Sequence, residues 1–234
     1  MLPGPSVPFP DAATPDIAPE IVVLVGGDPV LHDRVPQLPQ RAFVIAADSG
    51  LHLAHEFGLP VHLVVGDLDS VRPERLAAAR AAGVPVHQHP VDKDETDLAI
   101  ALDAATRFAP ARVTLLGGHG GRLDHLLGNA LVLAAEAYRE LTLTALVASA
   151  TITVVRGERE LRGQPGDYVS LLPAHGPARG ITTSGLRFPL SDEDLPAGST
   201  RGISNQFLSD RATVRLTDGV LLAVQPGERG PDHA

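Results

Sequence analysis

The segment Gly66-Asp67-Leu68-Asp69-Ser70 sets two carboxylates two residues apart. In an extended chain residues i and i+2 face the same side, so Asp67 and Asp69 would present their carboxylates together. Two like charges that close are costly unless protonated or bridged by a cation. Oxygen-only ligation suits a hard cation such as Mg²⁺, which uses one or two carboxylates together with waters and substrate phosphates. The same residues also fit an Asx turn and a helix cap ahead of Pro73.

A second cluster, Asp92-Lys93-Asp94-Glu95-Thr96-Asp97, precedes an Ala/Leu-rich stretch. Thr96 or Asp97 fits an N-cap, with the other charges solvated. The cluster also fits a metal and phosphate site. A helix N-terminus favours anions, Lys93 supplies a point charge, and Asp97 can join a metal shell. A third segment runs Gly117-Gly118-His119-Gly120-Gly121-Arg122-Leu123-Asp124-His125. Glycines let backbone approach a phosphate closely, and Arg122 offers a planar fork for its oxygens. A flexible turn whose Asp caps a helix, with an exposed His, fits the same letters. The fourth, Gly202-Ile203-Ser204-Asn205-Gln206-Phe207, reads first as an ordinary turn.

Composition narrows what these clusters can do. The 234 residues contain no Cys, so a disulfide frame, a thiolate metal site and a cysteine nucleophile are excluded. The formal charge of −9 argues against a general nucleic-acid binder, which shows a basic face. Lys93 is the only lysine among 19 basic residues and follows Asp92, so there is no Walker A loop. A GxGxxG after a strand and a GxSxG elbow are also missing. No stretch reaches the roughly 18 uninterrupted apolar residues of a membrane span. Residues 1–18 hold five prolines and no basic side chain, which fits a flexible leader rather than a secretory signal. A cytoplasmic location is expected.

The elements that must position the clusters have two textures. From Ile21 to about Ala150, short β-branched runs ending in Gly or Asp (IVVLV, FVIAAD, HLVVGD, VTLLGG) alternate with helix candidates at Leu51–Phe57, Pro73–Ala82, Asp97–Phe108 and Leu123–Glu140. That alternation predicts βαβ units and a mostly parallel sheet covered on both faces. Ligands of such sheets bind at the carboxyl ends of the strands, where Asp28, Asp48, Asp67 and Asp69 fall. After Ala150 the runs TITVV, ERELR, DYVSLL, ATVRL and VLLAV predict a small all-β sandwich. The domain organisation expected is a leader over 1–18, an α/β domain over 19–148, a β-sandwich over 149–228 and a tail over 229–234.

Taken in order, AADSG (Ala46–Gly50), LPVHLVVGDLDSV (Leu59–Val71), KDETDLAIAL (Lys93–Leu102), GGRLDHLLGN (Gly120–Asn129) and GISN (Gly202–Asn205) resemble the thiamine pyrophosphokinase family. The resemblance implies an α/β nucleotide domain followed by a β-sandwich that binds thiamine. It also implies a homodimer with active sites where the subunits meet. The implied reaction moves diphosphate from ATP to the hydroxyethyl group of thiamine, giving thiamine diphosphate and AMP. Carried onto this chain, Asp67, Asp69 and Asp97 would hold Mg²⁺, and with Asp48, Arg122 and Asp124 would form the catalytic set. Gly26, Gly27, Lys93, Thr96, Arg122 and His125 would handle ATP, and Ser204 and Asn205 would line the thiamine side. The resemblance further implies an aromatic ring on the vitamin, commonly a Trp near the C-terminus. This chain has no Trp, and its last strand reads Leu221-Leu222-Ala223-Val224, which leaves Phe188 and Phe207 as substitutes, each also fitting a core position. Two other readings fit the same residues: diphosphate transfer to another alcohol such as a hydroxymethylpterin, and a catalytically silent nucleotide- or metal-binding regulator.

Overall fold

The computed structural model describes residues 20–28, 38 and 41–227; the leader and tail expected from sequence lie outside the described residues. The chain forms two compact units that meet in sequence at Gly121 and Arg122.

In the first unit the elements are β1 (Glu20–Val25), β2 (Phe43–Ala47), α1 (Gly50–Glu56), β3 (Leu63–Gly66), α2 (Pro73–Ala81), β4 (Val86–Gln88), α3 (Asp97–Thr106) and β5 (Arg112–Gly117). The strands lie in the order β5-β1-β2-β3-β4, and every neighbouring pair is parallel. Strands buried on both faces carry uninterrupted apolar runs, as parallel sheets require. Accordingly β1 from Ile21 to Val25 is buried throughout. Helix α3 buries Leu98, Ile100, Ala101, Leu102, Ala104 and Ala105. Each of its large aliphatic side chains contributes roughly 1.5–3 kcal/mol of burial. That apolar face holds α3 on the sheet, and its first residue is Asp97.

Strand register sets where the carboxyl ends fall. Val25 pairs with Ala47 and with Gly117, and Ala47 pairs with Val65. The carboxyl ends of β1, β2, β3 and β5 therefore finish nearly level. The chain runs outward from β1 to β4 and then returns to place β5 on β1's other side. That reversal is the topological switch point at which open α/β sheets bind ligands.

The second unit contains α4 (Leu123–Leu133), β6 (Leu143–Val147), β7 (Ala150–Val155), β8 (Glu158–Arg162), β9 (Tyr168–Pro173), β10 (Ala178–Ser184), β11 (Glu193–Leu195), β12 (Asn205–Gln206), β13 (Arg211–Arg215) and β14 (Leu221–Gln225). The order β12-β9-β14-β7-β6 is antiparallel throughout. A separate antiparallel sheet has the order β11-β10-β13-β8. One hydrophobic core draws on both: Leu161, Ile181, Leu195 and Val214 from the second sheet join Val155, Val169, Leu171 and Leu221 from the first, with Phe207 among them.

Two differences from the sequence reading have local causes. The helix expected to reach Glu140 ends at Leu133. Arg156 Nη2 donates to the carbonyls of Ala134 at 2.5 Å and Ala135 at 2.9 Å, and Ala135 turns extended before a 3₁₀ turn at Glu136–Tyr138. The guanidinium thus satisfies carbonyls that a longer helix would have used. Strand β10 is not among the runs expected from sequence; its pairing shifts register between Ala178 and Ile181, with Gly180 at φ 59° inside the irregularity.

Candidate functional site

Asp48 follows β2 and Asp67 follows β3, so the level strand ends bring them together. Asp48 N donates to Val65 O at 2.8 Å, extending the ladder one step past the strand. Among the described residues, Asp48, Asp67 and Asp69 each offer a carboxylate oxygen, and the three lie within 4.8 Å of one another. The segment from Asp67 to Asp69 is not extended. Leu68 is left-handed at φ 67°, and Asp69 N donates to Asp67 Oδ1 at 3.2 Å. Turn and carboxylate pair are thus one structure: the Asx turn is what turns both side chains the same way. Ser70 Oγ donates to Asp69 Oδ1 at 2.8 Å and steadies the second carboxylate.

Asp97 enters from α3. Thr96 takes the capping role, its Oγ1 accepting from Ala99 N at 3.3 Å, so Asp97 is left for the cluster. Lys93 Nζ hydrogen-bonds Asp67 Oδ2 and lies 3.1 Å from Asp97 Oδ1. The contact to Asp97 is an ion pair without hydrogen-bond alignment, since the buried Asp97 Oδ1 has no hydrogen-bond partner. Asp48 Oδ1 is likewise buried and unpartnered.

The crowding depends on Gly66, a residue that the sequence alone does not single out. It sits at φ +130°, and a Cβ there would lie 2.9 Å from Asp97 Oδ1 and 3.3 Å from Asp48 Cβ. Only glycine lets the two carboxylates close over the end of β3. Its signal in the sequence is a Gly between an apolar strand and an Asp, which says nothing of its neighbours in space.

Electrostatically the cluster is poised for a cation. Burial pushes the Asp48 carboxyl up from its ordinary value, and the charges of Asp97, Asp67 and Asp69 push the same way. The Lys93 hydrogen bond holds Asp67 below its ordinary value. All donors are oxygens, two of them buried without a hydrogen bond, which fits a hard divalent cation.

The glycine-rich segments also pack closely against one another. A Cβ at Gly27 would lie 2.0 Å from the carbonyl oxygen of His119, and one at Gly120 would lie 2.9 Å from Gly27 Cα. Asp28 N donates to His119 O, Gly118 N donates to Gly26 O at 3.2 Å, and His119 Nδ1 lies 3.2 Å from Asp28 Oδ2. The loops after β1 and β5 therefore dock on each other at the switch point. A Cβ at Gly26 would collide with Ser49 Oγ at 1.9 Å.

Arg122, Asp124 and His125 belong to the second unit, and all three are exposed. Arg122 closes its fork on Asp124, with Nε to Oδ1 at 3.2 Å and Nη2 to Oδ2 at 2.5 Å. That guanidinium holds Asp124 down to about 2. Ser204 is exposed in a left-handed conformation at φ 58°. Asn205 is buried: its Oδ1 accepts from Phe188 N and Gln206 N, each at 2.9 Å, and its Nδ2 donates to Phe188 O at 2.7 Å. Of the two aromatics considered, Phe207 is core at 1% exposure, whereas Phe188 is 60% exposed with Arg187 5.6 Å over its ring.

Fold and site together define a class: a mixed α/β protein with a cation-capable carboxylate cluster and a lysine at the carboxyl edge of a parallel sheet. Residues 36–145 match the family model for the thiamin pyrophosphokinase catalytic domain, and residues 151–221 match the one for the thiamin pyrophosphokinase vitamin B1 binding domain. A thiamine pyrophosphokinase of Bacillus subtilis is 26% identical, over 86% of this chain and 96% of its own. Thiamine pyrophosphokinase 1 of Oryza sativa subsp. japonica is 28% identical, over 92% of this chain and 90% of its own. The crystal structure of thiamine pyrophosphokinase from Bacillus subtilis superposes with a TM-score of 0.77 at 26% identity, covering 89% of this chain and 99% of that one. The chain belongs to the thiamine pyrophosphokinase family.

Proposed function

We propose that this chain transfers diphosphate from ATP to the hydroxyethyl oxygen of thiamine, releasing AMP and thiamine diphosphate. The observation that carries the reading at the level of residues is the cluster of Asp48, Asp67, Asp69 and Asp97 around Lys93 at the strand ends. In the reaction the alcohol oxygen bonds to the β-phosphorus and the bond to the α,β-bridging oxygen breaks. AMP leaves with that electron pair. The protein contributes position and charge stabilisation, the main sources of rate in phosphoryl transfer.

Asp67 and Asp69, with Asp48 and Asp97 beside them, would hold Mg²⁺, which when bound neutralises charge on the phosphoryl oxygens. Lys93 and Arg122 would bind phosphates, with Thr96, His125 and the turn at Gly26 and Gly27 on the nucleotide side. Asp48, buried at the end of β2, and Asp124, paired with Arg122, are the two candidate proton acceptors for the thiamine hydroxyl. Ser204 would line the thiamine pocket and Asn205 would shape it by holding Phe188, whose exposed ring is the available stacking surface.

We assign nucleotide and metal binding to residues 19–148 and thiamine binding to a sandwich over 149–228. The family models, which leave a gap between residues 145 and 151, support that boundary. We also infer a homodimer with active sites where subunits meet. The exposed Leu123, Leu127 and Leu131, spaced along one face of α4, support an apolar contact with a second copy. No helix among the described residues is long and apolar enough to cross a membrane. The use of ATP supports a cytoplasmic location, and we assign no nucleic-acid partner.

A coupled assay of AMP release with thiamine, thiamine monophosphate and a hydroxymethylpterin tests the reading. Turnover of thiamine is expected. Turnover of the pterin alone would move the protein to another acceptor, and nucleotide binding without AMP from any alcohol would make it a silent binder.

A further inference from the structure

Both oxygens of the Asp67 carboxylate are already engaged. Oδ1 accepts from Asp69 N at 3.2 Å, and Oδ2 accepts from the Lys93 ammonium. A divalent cation shared by Asp48, Asp67 and Asp69 needs an oxygen from Asp67. The oxygen outside the turn is the one Lys93 holds. The same ammonium reaches Asp97 Oδ1 at 3.1 Å, so one positive charge spans carboxylates from the end of β3 and the start of α3. Lys93 and its Asp67 partner are well shielded, with side-chain exposures of 13% and 11%.

We infer that Lys93 is a displaceable counterion: it and the divalent cation are alternative partners of Asp67, and metal loading frees its ammonium for the polyphosphate. The inference rests on the metal site proposed above and adds an order of events. In the metal-free protein four carboxylates crowd together, and Lys93 offsets part of their repulsion. Arrival of a doubly charged ion supplies more charge at the same oxygens, so Lys93 is no longer required there. Its chain length lets it swing without moving backbone.

The residue type fits this task. The chain uses arginine for 18 of its 19 basic residues, counted as 19 less the one lysine, yet it keeps lysine here. A guanidinium would clamp a carboxylate with a rigid two-point fork, as Arg122 does to Asp124. A single-point ammonium on a flexible stem is easier to exchange.

Mn²⁺ binding, measured by electron paramagnetic resonance on the full chain without nucleotide, tests this. Lys93→Met should bind Mn²⁺ about tenfold more tightly than wild type, because a like charge a few ångströms from the ion is gone. Lys93→Arg should bind more weakly than wild type. In wild type, reductive methylation with ¹³C-formaldehyde labels Lys93 as the only side-chain amine. Its resonance should move on Mg²⁺ addition and broaden on Mn²⁺ addition. Thermal melting checks that both variants fold. Equal or weaker binding by a folded Lys93→Met, with tight binding in wild type, overturns the exchange and leaves the metal site standing. An unmoved Lys93 resonance at saturating Mg²⁺ does the same. Failure of all three proteins to bind Mn²⁺ overturns the metal site and the exchange together.

Discussion

Replacing Gly66 by alanine adds a single methyl group at the point where the carboxylates converge. The site is at φ +130°, and the new Cβ would sit 2.9 Å from Asp97 Oδ1, 3.2 Å from Asp48 N and 3.3 Å from Asp48 Cβ. The substitution carries two costs. Holding a non-glycine residue in that backbone region costs about 1–3 kcal/mol. In a chain of this size each kcal/mol lowers Tm by roughly 2–4 °C. The second cost is positional: relieving the contacts moves Asp97 or the start of the Asp48 turn by a few tenths of an ångström or more. Displacements approaching 1 Å cost about 100-fold in rate when catalysis rests on position. Gly58 is the control, being at φ +63° with nothing within 4 Å of an added Cβ. Gly58→Ala should lose stability of the same order and keep its turnover per folded molecule. Gly66→Ala should lose stability, up to about 100-fold in AMP release with thiamine, and affinity for Mn²⁺. Equal activity of the two folded variants would refute the argument that close approach over Gly66 builds the site.

Asp48→Asn should raise Tm without metal while abolishing turnover. The wild-type carboxylate is buried, leaves its Oδ1 without a hydrogen bond and is repelled by its neighbours, and an amide removes that charge; a lower Tm would count against the electrostatic account. His52, His62 and His87 all have pKa values held below 6.5, chiefly by burial. Folded protein therefore binds fewer protons than unfolded chain just below pH 6.5, so stability is full above that value and falls as pH drops. His62 Nδ1 accepts from Val44 N at 3.0 Å and His52 Nε2 from Arg72 N at 3.1 Å, bonds that protonation would remove. Urea unfolding between pH 7.5 and 5 should show the decline, and a flat profile would contradict it. Asn205→Ala should cost about 1–3 kcal/mol by stranding the backbone groups of Phe188 and should raise the KM for thiamine more than that for ATP; unchanged melting would refute the anchoring role. Leu127→Asp should shift the species seen by light scattering toward monomer if the α4 stripe meets a second copy, and an unaltered dimer would place the interface elsewhere.

Much of the first unit is legible in the sequence because each signal is local. Val and Ile runs closed by Gly or Asp mark strands buried on both faces, and Ala/Leu stretches between them mark helices. The Asp residues at the ends of β2 and β3 can be picked out for the same reason. Less legible are strands with irregular patterning, such as β10 with its register shift at Gly180, and helix ends decided from afar, as when Arg156 stops α4 at Leu133.

The sequence by itself determined the chemistry available: no thiolates, a single lysine, and carboxylates concentrated beside apolar runs. Residue types and near-neighbour spacing carry that information without reference to the fold. The tertiary structure decided how those groups are used. It joined Asp48 to Asp67 and Asp69 through parallel register, gave both Asp67 oxygens partners, and packed the glycine loops against each other. It also divided the aromatics, sending Phe207 to the core and leaving Phe188 in solvent. Those outcomes depend on contacts between residues tens of positions apart, where separation along the chain says nothing about distance in space.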